Sequence, residues 1–172
     1  METLSASDHL GSALIPGNQT RDWKQRWKLV QDELSLILRP RTEALSAESI
    51  HTALQHLFSF FIAAYHLKDA LKDSAGGIGL NPSDVEDAVT NDARLALLAD
   101  LANLDKHMKL SHVPRSGTVP VIGEVSGSDA RDGGGWQISV QIKHGARILD
   151  GLAVAEDATN AWREKLLAWR LI

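Results

Sequence analysis

The segment from Ser46 to about Asp73 constrains the fold more than any other part of the chain. Its large apolar residues recur at helical spacing and cover well over half of a helix's circumference: Ile50, Leu54, Leu57, Phe58, Phe61, Tyr65 and Leu67. Ser46 is a suitable N-cap, and Gly76-Gly77 with Gly79 are expected to break the helix. A helix with so wide an apolar surface needs neighbours on several sides, so this segment predicts the central helix of a mainly helical domain.

Three further stretches show helical periodicity. The first begins after Thr20 and ends before Pro40, with Trp23 and Trp27 on its apolar side. Another covers roughly residues 91–110 and follows a short helix that starts at Asn81-Pro82-Ser83-Asp84. The last covers about residues 155–169. The sequence therefore predicts a bundle of three to four long helices.

The pattern changes to a period of two between residues 118 and 149. Residues 118–125 and 136–143 alternate apolar and polar side chains, and the stretch Asp132-Gly133-Gly134-Gly135 lies between them. Gly145 allows a further turn into Arg147-Ile148-Leu149, a third short strand. This alternation predicts a small antiparallel β-hairpin or meander before the C-terminal helix. The expected fold class is thus mainly α (α+β), with a flexible N-terminal arm at residues 1–19 and a single domain at residues 20–172.

Composition excludes several classes of protein. The chain has no cysteine, so a disulfide framework, a thiolate zinc site and a cysteine nucleophile are all ruled out. Its 18 basic and 22 acidic residues give a net charge of -4, which argues against a surface coated with basic residues for duplex binding. No stretch approaches the roughly 18 uninterrupted apolar residues of a membrane span. We therefore expect a cytoplasmic protein that has no membrane partner.

A polar stripe runs along the helix expected at residues 91–110. Asp100, Asn103 and His107 fall within about 60° of one another on a helical projection. They lie beside an apolar line formed by Leu97, Leu101, Leu104 and Met108. The central helix carries His66 and Asp69 on the narrow polar side that its apolar residues leave free. If the two helices pair, these two residues are expected to face the stripe.

Three interpretations of these residues remain open at the level of sequence. The first is a structural hydrogen-bond network, because partly buried polar groups need partners. The second is acid–base catalysis, in which His107 moves a proton, Asp100 orients it, and Asn103 or Lys106 stabilises an anionic oxygen. The third is a metal site whose ligands would be His66, Asp69, Asp100 and His107. The predicted site needs no cofactor in the first two cases, and we assign no metal.

A resemblance to a known family rests on two segments. Tyr65-His66-Leu67-Lys68-Asp69 and Ala99-Asp100-Leu101-Ala102-Asn103-Leu104-Asp105-Lys106-His107 resemble a group of small bacterial proteins of unknown function that are related to the HEPN helical bundles. The resemblance covers mainly residues 46–110. His107 matches the His of the usual HEPN motif, and Asn103 stands near the position that an Arg normally takes.

The resemblance implies a function as well as a fold. HEPN bundles are commonly dimers, and many are metal-independent RNases of toxin–antitoxin or phage-defence systems, while others only bind RNA. It therefore implies a HEPN-like accessory protein that acts on or binds RNA, with His107, Asn103, Lys106 and Asp100 at the site and His66 and Asp69 in support. The alternative is a non-enzymatic module that binds a protein partner, in which the Asp/Asn/His stripe is structural.

Overall fold

The structure, a computed structural model, describes residues 22–107, 113–130 and 133–172, without the side chains of residues 105–107. The N-terminal arm expected at residues 1–19 lies outside these ranges. The described residues form five helices and three strands, in the order α1 Trp23–Leu38, α2 Ala47–Ile78, α3 Pro82–Asn91, α4 Ala93–His107, β1 Val121–Asp129, β2 Trp136–His144, β3 Arg147–Asp150 and α5 Gly151–Ala168. The expected α+β class, with a small sheet before the last helix, is confirmed.

Helix α2 is the centre of the domain, as its apolar pattern predicts. It packs against the four other helices and against the sheet. Leu57, Phe60 and Phe61 on this helix are completely buried. The N-terminus is capped reciprocally: the Ser46 hydroxyl accepts a hydrogen bond from the Ser49 N–H at 3.1 Å, and the Ser49 hydroxyl accepts one from the Ser46 N–H at 2.8 Å.

The C-terminus of α2 differs from the sequence prediction. The helix does not break at Gly76-Gly77 but continues through both residues to Ile78. Gly in a helix costs only about 1 kcal/mol relative to Ala, and the fully buried Ala75 holds the last turns against the core. The helix ends at Gly79, whose φ of 73° is the left-handed conformation typical of a helix C-terminus.

Helices α3 and α4 are separated by a sharp junction at Asp92. The Asp92 carboxylate accepts a hydrogen bond from the Arg94 N–H at 3.0 Å and so satisfies a free donor at the start of α4. Arg94 also pairs with Glu164 at 2.5 Å, which connects the start of α4 to α5. Hydrogen bonds to Glu164 and Asp92 raise the pKa of Arg94. The positive charge of Arg94 is therefore paired with these two carboxylates at the junction.

The three strands form one antiparallel sheet in the order β1-β2-β3. One face of β2 is buried against the helices and consists of Trp136, Ile138, Val140 and Ile142. Arg41, which follows α1, forms an isolated bridge with Trp136, with N–H to O distances of 2.8 and 3.0 Å. The sheet is thereby joined to both α1 and α2.

Helix α5 starts directly after β3, about four residues before the position expected from the sequence. Asp150 caps it by accepting a hydrogen bond from the Ala153 N–H at 2.9 Å. Trp162 is completely buried and donates its indole N–H to the Ala64 carbonyl of α2 at 3.0 Å. None of the helices in the described ranges has the length and apolar character needed to cross a membrane.

Candidate functional site

Asp100 is buried and serves as an anchor for the loop at residues 113–118. Only 3% of the residue is exposed. Its carboxylate accepts hydrogen bonds from the Arg115 N–H at 2.9 Å, the Ser116 N–H at 2.8 Å and the Ser116 hydroxyl at 2.5 Å. Three hydrogen bonds from one loop to a single carboxylate hold the backbone of that loop in position. Asp100 therefore holds the loop against α4.

Ser116 lies between Asp100 and His144. Its hydroxyl oxygen is 2.9 Å from His144 Nε2 and 2.5 Å from an Asp100 carboxylate oxygen. Because Asp100 takes the hydroxyl proton, the His144 nitrogen must donate to Ser116. A serine nucleophile needs the opposite order, in which the imidazole accepts the serine proton. The arrangement is thus a hydrogen-bond chain from the sheet through the loop to α4.

His66 and Asp69 pair with each other on α2. His66 Nδ1 is 2.8 Å from an Asp69 oxygen, and both side chains are partly exposed. Helices α2 and α4 pack together. Even so, no hydrogen bond or ion pair among the described side chains joins His66 or Asp69 to Asp100 or Asn103. His66 and Asp69 thus make no direct polar contact with Asp100 or Asn103, while the expected approach to His107 lies outside the described side chains.

The remaining stripe residues lie further along α4. Asn103 is half-buried. The backbone of Lys106 and His107 is helical, but their side chains are outside the description. His107 stands seven positions after Asp100, which corresponds to about 10 Å along the helix axis. Asp100 is thus fixed to the loop two turns before His107.

Three cations meet around one carboxylate between α2, α3 and the loop at residues 113–118. Oxygens of Glu86 on α3 lie 3.4 Å from Lys68 Nζ, 3.1 Å from Lys72 Nζ and 2.6 Å from an Arg115 nitrogen. We call Lys68, Lys72 and Arg115 the cation cluster. Arg115 also donates to the Thr90 hydroxyl at 3.2 Å. Asp69 lies 3.8 Å from Lys68 as a second carboxylate, so these five side chains carry one more positive than negative charge. The Asp100 carboxylate also attracts Arg115, but it is bound to the loop backbone.

The pKa values of the cluster follow from this geometry. Burial opposes ionisation of Glu86, but hydrogen bonds from Arg115 and Lys72 outweigh it and lower the Glu86 pKa from 4.5 to about 2. Burial also opposes protonation of Lys68, yet its hydrogen bond to the Tyr65 hydroxyl and the nearby Glu86 charge raise its pKa above the ordinary value. Lys68 and Glu86 are therefore both charged at neutral pH.

Two aromatic rings border the cation cluster. Lys68 Nζ lies 4.6 Å from the centre of the Tyr65 ring and donates to its hydroxyl at 3.1 Å. The His66 ring follows, with its centroid 6.0 Å from that of Tyr65. This part of α2 therefore places two rings, those of Tyr65 and His66, beside the Lys68 cation.

The side chains that the structure describes do not form a metal site. No group of three or more His, Asp or Glu residues in that part of the chain is arranged to hold an ion. Asp100 is occupied by the loop, and His66 and Asp69 supply only two ligands to one position.

Sequence reasoning overlooked the cation cluster because its members are far apart in the chain. Arg115 and Glu86 are 29 residues apart and meet only because Asp100 holds the loop beside α3. A weak signal was present, since Lys68 and Lys72 are four residues apart and share one side of α2. No signal in the sequence indicated that Ser116 and His144 would meet.

Comparison with known proteins gives no relative from which a role could be transferred. Neither a family model, nor a curated protein, nor a solved structure matches the chain.

Proposed function

We propose that this chain is a non-enzymatic, HEPN-like helical module that binds RNA through the cation cluster. The observation that carries the proposal is the convergence of Lys68, Lys72 and Arg115 on the single carboxylate of Glu86. With Asp69 counted, the cluster keeps one positive charge, which favours a further anion, and an RNA phosphate is the anion that agrees with the HEPN-like resemblance. The proposal includes a cytoplasmic location, a homodimer and an accessory role in a toxin–antitoxin or phage-defence system.

The chemistry of the cluster suits a phosphate group. The side chains of Lys72 and Arg115 are 36% and 29% exposed, so an incoming ligand can reach both. A guanidinium binds phosphate through two parallel hydrogen bonds, and an ammonium adds a point charge. The neighbouring rings of Tyr65 and His66 offer stacking surfaces for unpaired bases. Single-stranded RNA is therefore the ligand form that we propose.

The burial of Asp100 is the reason for proposing binding without cleavage. Its carboxylate accepts three hydrogen bonds from Arg115 and Ser116 and lies two helical turns, about 10 Å, before His107, so it is not placed to orient that imidazole. The catalytic alternative is a metal-independent RNase that uses His107 with Asn103 and Lys106. It would operate without Asp100, and the experiment below distinguishes it from simple binding.

The test compares two lysine variants in the binding of labelled single-stranded RNA, measured by fluorescence anisotropy at several salt concentrations. Lys72→Gln removes one cation of the cluster, whereas the control Lys143→Gln removes an exposed cation of the sheet. Lys72→Gln should weaken binding about fivefold and lower the salt slope by about one. Lys143→Gln should bind like the wild type. Equal binding by both variants, or no binding by the wild type, would reject the proposal.

The same RNAs serve to test cleavage. Wild type and His107→Ala are each incubated with the RNA, and the products are separated on a gel. Intact RNA in both samples is the expected outcome. RNA that is cut by the wild type and spared by His107→Ala would overturn the non-enzymatic proposal in favour of the RNase.

A further inference from the structure

A small pocket lies between the start of α4, strand β3 and the start of α5. Its volume is about 170 Å³. Leu97, Leu149 and Val154 give it an apolar lining, and Leu97 and Val154 are buried. An apolar cavity of about 150 Å³ holds a molecule of the size of benzene. This pocket, which we call the α4–α5 pocket, therefore suits a ligand of that size or slightly larger.

Four charged residues also line the α4–α5 pocket, and two of them are already engaged. Arg94 is paired with carboxylates at the junction of α3 and α4, and Asp150 caps α5. The other two are Arg147 of β3 and Asp157 of α5, and both are exposed. Neither forms an ion pair or a side-chain hydrogen bond with another described residue, and they do not pair with each other. The pocket therefore presents one cation and one carboxylate that are available to a ligand.

His144 forms a polar part of the lining, and its orientation is fixed. His144 Nε2 lies 2.9 Å from the Ser116 hydroxyl, which is bonded to the buried carboxylate of Asp100. A hydrogen-bond chain thus holds the end of β2 against the loop and α4. Ligand sites commonly combine an apolar surface with a few polar groups in fixed positions. The α4–α5 pocket has this composition.

The charge pattern selects the class of ligand. A simple carboxylate could pair with Arg147 but would lie close to Asp150 and Asp157. A simple amine could pair with Asp157 but would lie close to Arg94 and Arg147. A zwitterion avoids both repulsions, because each of its charged groups can face the residue of opposite sign. The pocket therefore favours a ligand that carries both charges and an apolar part.

We propose that the α4–α5 pocket binds a small α-amino acid with an aliphatic side chain. The carboxylate of the ligand pairs with Arg147, and its ammonium pairs with Asp157. The aliphatic side chain packs against Leu97 and Val154. This site does not include the cation cluster, so the proposal is independent of RNA binding.

The first experiment tests the class of ligand by isothermal titration calorimetry. The wild type is titrated with L-leucine, with isocaproate, which lacks the ammonium of leucine, and with isoamylamine, which lacks its carboxylate. Leucine should bind at least about tenfold more tightly than either analogue, because only leucine satisfies both charged residues. Equal binding of leucine and one analogue, or no binding of leucine at concentrations up to about 20 mM, would overturn the proposal.

The second experiment locates the site by titrating leucine into four variants. Arg147→Gln and Asp157→Asn each remove one partner of the ligand and should weaken binding about tenfold. The controls Arg163→Gln and Glu156→Gln change exposed residues of α5 outside the pocket and should bind like the wild type. Unchanged binding by Arg147→Gln and Asp157→Asn, or equal weakening by the controls, would reject the site. Lys72→Gln should bind leucine normally, which separates this proposal from that of RNA binding.

Discussion

At the scale of single residues, Asp100 shows how a polar side chain in an apolar helix can be fully explained by structure. Its neighbours Ala99 and Leu101 are completely buried, and a charge among them is stable only if donors surround it. The loop at residues 113–118 brings two backbone N–H groups and one hydroxyl to the carboxylate. The burial of Asp100 and the position of Arg115 therefore depend on each other.

The replacement Asp100→Ala should lower the free energy of unfolding by about 3 kcal/mol, because it leaves two backbone donors of the loop without their acceptor. Urea denaturation at neutral pH measures the change. Asp73→Ala is the matched control, since Asp73 is exposed on α2 and its loss should cost less than about 0.5 kcal/mol. Equal stability of the two variants would show that Asp100 is not a structural anchor.

At the scale of elements, Glu86 connects three parts of the chain. It belongs to α3, while its partners come from α2 and from the loop that follows α4. Helix α3 has only 10 residues, and Val85 and Val89 are its buried apolar residues. The polar contacts of Glu86 therefore add to a small apolar interface in holding α3 in place.

Glu86→Gln should lower the free energy of unfolding at pH 7 by about 1–2 kcal/mol. This is less than the energy that corresponds to the full pKa shift, because the Glu86 side chain is 32% exposed. The Glu86 pKa is about 2 in the folded protein, against an ordinary 4.5. The contribution is therefore complete above about pH 4.5 and is lost as the pH falls toward 2. Urea denaturation of wild type and variant from pH 7 to 2.5 should show converging stabilities. A difference in stability between wild type and Glu86→Gln that stays the same from pH 7 to 2.5 would contradict the lowered pKa of Glu86. The control Asp87→Asn, on the same helix, should be as stable as the wild type at pH 7 and at pH 2.5.

At the scale of the whole molecule, α5 closes the bundle over α2. The sheet lies between α4 and α5 in the chain, so the last helix must return to the core after the strands. Trp162 is fully buried in this contact and bonds to the Ala64 carbonyl across 98 residues of sequence. The domain is therefore expected to unfold as one cooperative unit.

Trp162→Phe should lower the free energy of unfolding by about 2 kcal/mol, because it removes a buried hydrogen bond and leaves a cavity. Thermal unfolding, followed by far-UV circular dichroism and by fluorescence, should give a lower midpoint that is the same for both signals. The control Trp169→Phe, at a half-buried position, should cost less. Separate transitions for the two signals would show that α5 unfolds independently of the rest.

The helices and strands could be predicted to within a few residues at most of their ends. The exceptions are instructive. Gly76-Gly77 did not stop α2, because packing of Ala75 outweighs the low helix propensity of two glycines. α5 began at Gly151 because the side chain of Asp150 caps it, a contact that follows from where β3 ends.

The polar residues were harder to assign than the elements. Sequence reasoning placed Asp100 in a stripe with Asn103 and His107, since all three share one side of a helix. Which groups would meet that side could not be read from α4 alone. The loop that supplies Arg115 and Ser116 is 15 residues away from Asp100, and its approach depends on the packing of α3 and the sheet.

The sequence by itself determined the polar stripe's place on α4, the central position of α2 and the α+β class, because these depend on the local periodicity of apolar and polar residues. Tertiary structure alone decided that Asp100 accepts three hydrogen bonds from one loop and that Glu86 brings the cation cluster together. These contacts join residues far apart in the chain. They depend on how the helices and the sheet pack, and no local pattern records that packing.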